Sequence, residues 1–264
     1  MKIGVYQFRG SADLTANHDA IKRAIHSAFH HKVRLLAFQE CATCGYPPVE
    51  TPSVDRIDYG LLDSHLLEIQ QLAKSCDLYI ALGTIRVQDS KRYNTILLIG
   101  PDGHLLGHYD KRALWGWDTN SFVPGQSIGL FDIDSIKIGF HICFEVRFPE
   151  YFRELFRHQA ELCIISFCDV SAEESLERYE LIKSHLITRA AENVMTVISV
   201  NSISQYQTAP TAVFDYNGNI VLEAQRNREQ LLVYDYTSPK PEFGAKGRLH
   251  YSHMLLSMED SEKV

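Results

Sequence analysis

Ile136-Lys137-Ile138-Gly139-Phe140-His141-Ile142-Cys143-Phe144-Glu145-Val146-Arg147-Phe148-Pro149-Glu150 is the stretch in which the chain changes from one backbone period to another. Ile136, Ile138, Phe140 and Ile142 alternate with Lys137, Gly139 and His141, the period of two that predicts a strand over 136–142. Pro149 suits the first turn of a helix, where its missing N–H has no acceptor to lose. Cys143 therefore falls between a strand end and a helix start. Amide groups at such a turn, and the positive end of the helix behind it, favour a thiolate or a developing oxyanion.

Outward from this point the same alternation of elements recurs. Strands are predicted over 2–8, 33–38, 78–87, 162–167, 194–200 and 231–236, from short apolar or alternating runs. Helices are predicted over 17–31, where Ala20, Ile21, Ala24, Ile25 and Ala28 form a stripe, over 61–76 through Leu62, Leu66, Ile69 and Leu72, and over 174–193, with Asn193 as its cap. Gly100-Pro101-Asp102-Gly103 and Tyr216-Asn217-Gly218-Asn219 are turn sequences, which predict hairpins over 94–109 and 212–223. Helical crossovers mixed with hairpins predict a layered α/β architecture, with two stacked sheets and helices outside them. No repeat or linker divides the chain, so one domain is expected over 1–236, with the polar, aperiodic 237–264 as a C-terminal arm or tail.

The composition excludes several functions. With 264 residues, 45% hydrophobic and 22% charged, the chain can bury enough surface to offset its conformational entropy, which excludes disorder. Its 26 basic and 33 acidic residues leave a net charge of −7, and no Lys/Arg-rich run offers a phosphate backbone a positive surface. No apolar run reaches the ~18 residues of a membrane span. The first residues alternate like a strand and lack the apolar region of a signal peptide, so a cytosolic protein is expected. Six cysteines in a chain of this length are then expected to be reduced thiols.

Glu40, Lys111 and Cys143 each stand at a predicted strand end, where a rigid scaffold presents an open tip. A thiol with a pKa near 8.5 is only a few per cent ionised at neutral pH and must be activated. A carboxylate can take its proton but opposes a standing thiolate. A nearby ammonium offsets that repulsion and can donate to a tetrahedral oxyanion, a contact typically worth about 2.7–4 kcal/mol in the transition state. The three residue types together make an acyl-transfer set.

Phe38-Gln39-Glu40, Tyr109-Asp110-Lys111-Arg112-Ala113-Leu114 and Gly139–Glu150 resemble, in order and spacing, the three signature blocks of the nitrilase (carbon–nitrogen hydrolase) superfamily. Phe122-Val123-Pro124-Gly125 and Arg189-Ala190-Ala191-Glu192-Asn193 extend the resemblance, which runs from about Lys2 to Tyr236. It implies a four-layer α-β-β-α sandwich with Glu40 as general base, Lys111 as oxyanion stabiliser and Cys143 as nucleophile. It also implies that the Phe144 N–H is a second oxyanion donor and that no cofactor or metal takes part. The family's additional glutamate, which positions substrate and lysine, matches Asp118, one methylene shorter. Cys-Phe-Glu-Val-Arg-Phe-Pro-Glu is most similar to the omega-amidase-like branch, whose usual form has Tyr and Asp at positions 144 and 145. The resemblance therefore implies hydrolysis of a small carboxamide, with an N-carbamoyl amine or amino acid, or acyl transfer on the same fold, as alternatives. Asp118, Phe144, Glu145 and Phe167 are the expected substrate-binding residues, and a homo-oligomer, as a dimer, is the expected assembly.

Competing readings stand beside these. Cys143 is alternatively a buried structural thiol, and Glu40 and Lys111 solvated strand-end charges. His141, two residues before Cys143, would share its face in a regular strand and is a rival base. Cys41-Ala42-Thr43-Cys44 has the spacing of half a zinc site, yet no second Cys-x-x-Cys exists, and His26 and His30 only flank a helix stripe. Cys163 and Cys168 read as core or strand-end residues. Arg147 is either a structural ion-pair residue or a carboxylate anchor. Trp115 and Trp117 are expected at the pocket mouth or packed in a loop.

Overall fold

The computed structural model describes residues 1–261. Along the chain run β1 (Lys2–Gln7), α1 (Leu14–His30), β2 (Leu35–Phe38), α2 (Tyr59–Cys76), β3 (Tyr79–Gln88), β4 (Lys91–Ile99) and β5 (Leu105–Asp110). The second half holds β6 (Leu130–Ile133), β7 (Ile136–Ile142), α3 (Pro149–Arg157), β8 (Leu162–Phe167), β9 (Val170–Ser171), α4 (Leu176–Asn193), β10 (Thr196–Asn201), β11 (Tyr206–Gln207), β12 (Ala212–Phe214), β13 (Ile220–Glu223), β14 (Gln230–Asp235) and α5 (Phe243–Ser261).

Two six-stranded sheets form, in the orders β14-β1-β2-β3-β4-β5 and β13-β12-β10-β8-β7-β6. Each has parallel strands at its centre, joined by helices, and antiparallel strands at its edges; most of these follow their neighbours in sequence, whereas β14 returns from the far end of the sandwich domain to pair with β1. Period-two alternation decides which face each side chain serves. Ile3, Val5, Leu35 and Ala37 of the first sheet meet Ile138, Phe140, Ile142, Leu162 and Ile164 of the second in one buried layer. Tyr6, Leu36, Phe38 and Ile80 turn the other way, onto Ile21, Ala24 and Ile25 of α1 and Ile69 of α2. Ile165, Phe167 and Val197 likewise pack under Phe152, Leu155, Ile182 and Leu186 of α3 and α4. The layers are thus α-β-β-α.

Local chemistry sets the boundaries. Asp13 caps α1 by accepting from the Thr15 and Ala16 amides, both at 3.0 Å, so the helix starts at Leu14, three residues before the expected start at 17. Ser175 caps α4. The expected Asn cap at its other end is instead Val194, in the left-handed region at φ 50°, while Asn193 donates to the Arg189 carbonyl at 2.9 Å. The 100–103 turn closes β4 onto β5, with Gly103 at φ 83°. Within the segment expected as an arm or tail, α5 seats Leu249 and Leu256 on the outer cluster and His253 against Phe156, ring centroids 4.8 Å apart.

Gly83 fixes how closely the central strands meet the end of β2. A Cβ there would lie 2.0 Å from the Gln39 carbonyl oxygen, a backbone atom with nowhere to go. Gly83→Ala is expected to destabilise the protein by roughly 1–3 kcal/mol or more through overpacking, read as a lower urea midpoint. Gly60→Ala, whose Cβ meets only Asp58 Oδ1 at 3.4 Å, is the control and is expected to be neutral or stabilising by up to about 1 kcal/mol.

Candidate active site

The ends of β2 and β5 from one sheet, and of β7 and β8 from the other, meet at one edge of the sandwich. Ser166 donates to the Phe38 carbonyl at 2.8 Å and the Glu40 amide to the Phe167 carbonyl at 3.3 Å, which ties the two sheets together where the chemistry converges.

Glu40 leaves β2 with its carboxylate fully buried and both oxygens engaged. Oε1 accepts from Lys111 Nζ at 2.8 Å and from Asn94 Nδ2 at 2.7 Å, and Oε2 from the Cys168 amide at 2.9 Å. Burial, reinforced by the neighbouring Asp118, raises its pKa above the ordinary value despite the opposing pull of Lys111. Lys111 follows β5 and is held at its backbone by the Asn94 carbonyl, 2.8 Å away. Its Nζ donates to Glu40 and, at 2.7 Å, to Asp118 Oδ2. Burial alone disfavours an ammonium, but the charges of Glu40 and Asp118 outweigh it, so Lys111 stays protonated.

Asp118 sits in the 3₁₀ turn Gly116–Asn120. Its Oδ2 also accepts from the Trp115 amide at 2.8 Å, and Oδ1 accepts from the Tyr46 hydroxyl at 2.7 Å. Asp118 is fully buried, and the contact it makes is with the lysine that it was expected to position along with substrate.

Cys143 begins the 3₁₀ turn Cys143–Arg147 with φ 47°. A non-glycine residue in that region costs about 1–2 kcal/mol, a strain carried by the surrounding bonds. Arg189 of α4 donates to the Val146 and Arg147 carbonyls at 3.0 and 3.2 Å, the cationic partner that the C-terminal end of a short helix favours. The Phe144 N–H lies at the start of this turn, where helical geometry supplies no acceptor. Burial and the charge of Glu40 raise the Cys143 pKa, and Lys111 acts against them. The resting group is a thiol beside a carboxylate.

Glu145 corrects an expectation. Its carboxylate accepts from the Tyr109 hydroxyl at 2.7 Å, from the Arg112 and Ala113 amides at 2.6 and 3.2 Å, and from the Ile142 amide at 2.7 Å. It is fully buried and clips the lysine segment to the cysteine turn instead of facing substrate. Its place three residues after the strand end, as a turn-capping carboxylate, was the available signal. His141 turns away as well. It is packed against Tyr109 and Phe152, and burial, helped by the charge of Arg112, lowers its pKa to about 3. The left-handed turn at Cys143 breaks the strand period on which the shared face depended.

Cys143, Phe144 and Phe167 line one cleft, together with Tyr46, Trp115 and Arg147. Trp117 stands at its rim, 43% exposed, and donates to the Tyr46 hydroxyl at 3.1 Å. Arg147 lies over the Phe144 ring at 5.8 Å and has no carboxylate partner among the described residues. Cys41 and Cys44 are buried in the neighbouring core, and Cys163 in β8. Cys168 lines the cleft. Asn94 and Tyr46 escaped the sequence reading. A buried asparagine inside the apolar run of β4 was the signal for the first, and the Gly45 turn at φ 75° for the second.

The solved amidase of Nesterenkonia sp. AN1 superposes with a TM-score of 0.79 at 21% identity, covering 90% of this chain and 93% of that one. A variant of it in complex with butyramide gives 0.82 at 20%, covering 98% and 96%. An omega-amidase of Xenopus laevis is 30% identical over 159 residues, 56% of each chain. A 2-oxoglutaramate amidase of Bacillus subtilis is 32% identical over 136 residues, 50% of this chain and 51% of that one. The chain thus spans about half the length of these two curated relatives. The family described as carbon-nitrogen hydrolase matches over residues 2–240, nearly the whole sandwich, and the chain belongs to that family.

Proposed function

We propose that the cleft hydrolyses the C–N bond of a small carboxamide through a thioester on Cys143. One observation carries the reading: a carboxylate and an ammonium in contact at 2.8 Å, whose charges both act on a cleft-lining thiol held at a strained turn. As Cys143 Sγ bonds to the carbonyl carbon, Glu40 takes the thiol proton. The oxygen gains negative charge opposite Lys111 Nζ and the Phe144 N–H. Collapse of the tetrahedral species breaks the C–N bond, and Glu40 returns the proton to the departing ammonia. Water then attacks the thioester, with Glu40 taking its proton, and the acid leaves as Cys143 recovers its hydrogen. Each role needs the other two. The base would repel the thiolate without the ammonium, and the ammonium could not stay buried without the carboxylates.

The likeness to omega-amidases and to a 2-oxoglutaramate amidase supports a substrate carrying a carboxylate beyond its amide, and Arg147 supports it independently. A guanidinium in the cleft without an acidic partner suits bidentate contact with such a group. The Nesterenkonia amidase, one of whose structures has the acetamide moiety of fluoroacetamide added at the active-site cysteine, supports the covalent route. The proposal extends to the cytosolic compartment and the homodimer, for which fractionation and size-exclusion chromatography are the direct readouts. No helix among the described residues is long and apolar enough to cross a membrane.

Ammonia release from a panel of amides, ureido acids and nitriles tests the reaction. Cys143→Ala is expected to abolish turnover, and Glu40→Gln to lower kcat by roughly 10²–10⁴ with the circular dichroism spectrum unchanged. Retained activity in Glu40→Gln, with loss in His141→Ala, would transfer the base role to His141. Glu40 must be ionised to accept the proton, and its pKa lies above the ordinary 4.5. The profile of kcat/KM is therefore expected to fall with decreasing pH at a midpoint above 4.5, with no lysine limb below the ordinary 10.5 of that group. Arg147→Ala is expected to raise KM about 10-fold or more for amides that bear a carboxylate, and little for neutral ones, since a charged hydrogen bond is worth about 1.5–3 kcal/mol. Equal effects on both classes would remove the anchor role.

A further inference from the structure

Cys168 has no part in the reaction as described, yet it lines the same cleft as Cys143. Its surroundings repeat those of the nucleophile. Burial and the neighbouring carboxylate of Glu50 raise the Cys168 pKa; Glu50 is itself buried and accepts from the Tyr46 amide at 3.0 Å and from the Ser202 hydroxyl. The Cys168 amide is bonded to Glu40 at 2.9 Å, so this residue is locked in place beside the catalytic base. Two thiols, each with its own carboxylate, share one opening.

The strand register brings the two residues together. Ile142 of β7 pairs with Ser166 of β8 in a parallel ladder, so Cys143 and Cys168 lie one and two residues beyond that pair. Parallel neighbours run about 4.8 Å apart with a rise of about 3.3 Å per residue. Both residues thus leave the ends of directly paired strands, whose spacing lies within the usual Cα span of a disulfide. Glu40 and Cys143 both act on the Cys168 thiol.

We propose that Cys168 is a resolving cysteine for Cys143, and that a hydroperoxide converts the pair into a disulfide that switches the enzyme off reversibly. This rests on Cys143 being the reactive thiol. Glu40 takes the Cys143 proton and the sulfur attacks the peroxide. The O–O bond breaks, the peroxide is reduced to water or an alcohol, and the sulfur is oxidised to a sulfenic acid. Cys168, its proton passing to Glu50, then attacks that sulfur. An S–S bond forms, the S–O bond breaks, and the oxygen leaves as water with the proton. The sum is two thiols and one peroxide to one disulfide, one water and one water or alcohol. The link ties up the nucleophile and spares it from irreversible oxidation to sulfinic acid, and a dithiol restores it.

The experiment treats the full-length protein with hydrogen peroxide and maps its peptides without reduction. A Cys143–Cys168 peptide is expected, with amidase activity lower by about 10-fold or more and recovered on adding a dithiol. In Cys168→Ser and Cys168→Ala, each compared with its own untreated activity, the loss is expected to resist the dithiol and Cys143 to appear as sulfinic acid. A Cys143 linked instead to Cys41 or Cys44, or equal sulfinic acid in the wild type and both variants, overturns the proposal. The peptide map reads the link without reference to turnover. A protein inactive on every amide before treatment fails the catalytic reading, which is a different result from an active enzyme that forms no link.

Discussion

A lysine with no solvent exposure is the constraint around which this edge of the sandwich is arranged. Removing an ammonium from water costs several kcal/mol after relaxation, and carboxylates compensate only with good geometry and with their remaining lone pairs satisfied. Both conditions are met. Glu40 and Asp118 grip Lys111 at 2.8 and 2.7 Å, and Asn94, the Cys168 amide, the Trp115 amide and Tyr46 fill the other acceptor positions. The cluster holds two carboxylates and one ammonium, and the surplus negative charge keeps the lysine protonated while raising the proton affinity of the glutamate. That is the electrostatic state that proton abstraction from a neighbouring thiol requires.

The site lies at a seam. Glu40 and Lys111 belong to one sheet, Cys143 and Cys168 to the other, and neither sheet holds a complete set. Glu145 joins them: its carboxylate takes amides from the lysine segment and from the end of β7 at once. Short hydrogen bonds to this one buried side chain thus help to set the distance from Cys143 to the ammonium, with the Ser166–Phe38 and Cys168–Glu40 bonds that cross the same seam. Arg189 performs the matching task from the helix layer, since it holds the carbonyls that close the cysteine turn.

Much of the scaffold was legible because the physics that forms it is local. Alternation in Ile136–Ile142 and the stripe of Ala20, Ile21, Ala24 and Ile25 record which face is buried, and Gly103 and Gly218 record backbone that only glycine adopts cheaply. The short β6 was missed because Leu130-Phe131-Asp132-Ile133 is too brief for a period to register. The helix α5 was missed because its few anchors, Leu249 and Leu256, meet a surface that exists only after α3 and α4 have packed. At the site, residue types at strand ends and the family blocks pointed to Glu40, Lys111 and Cys143, and the structure brings those three together. His141 shares a face with Cys143 only if the strand period runs through that residue, and sequence spacing carries no sign that the backbone there turns left-handed. Glu145 was placed near substrate by the family blocks, which carry no sign that its carboxylate is taken up by Tyr109 and backbone amides.

The rim loop has a double attachment. Trp115 and Trp117 form wall and lip of the cleft, while Asp118, between them and the core, is bonded to the buried ammonium. Under the proposed reaction, evolution of new acyl-group preference through this loop would perturb the electric field at the reacting carbon along with the shape of the cavity. Selectivity and speed would then be mechanically joined, and divergence toward other amides would proceed more freely through the wall contributed by Arg147, which is free of the lysine.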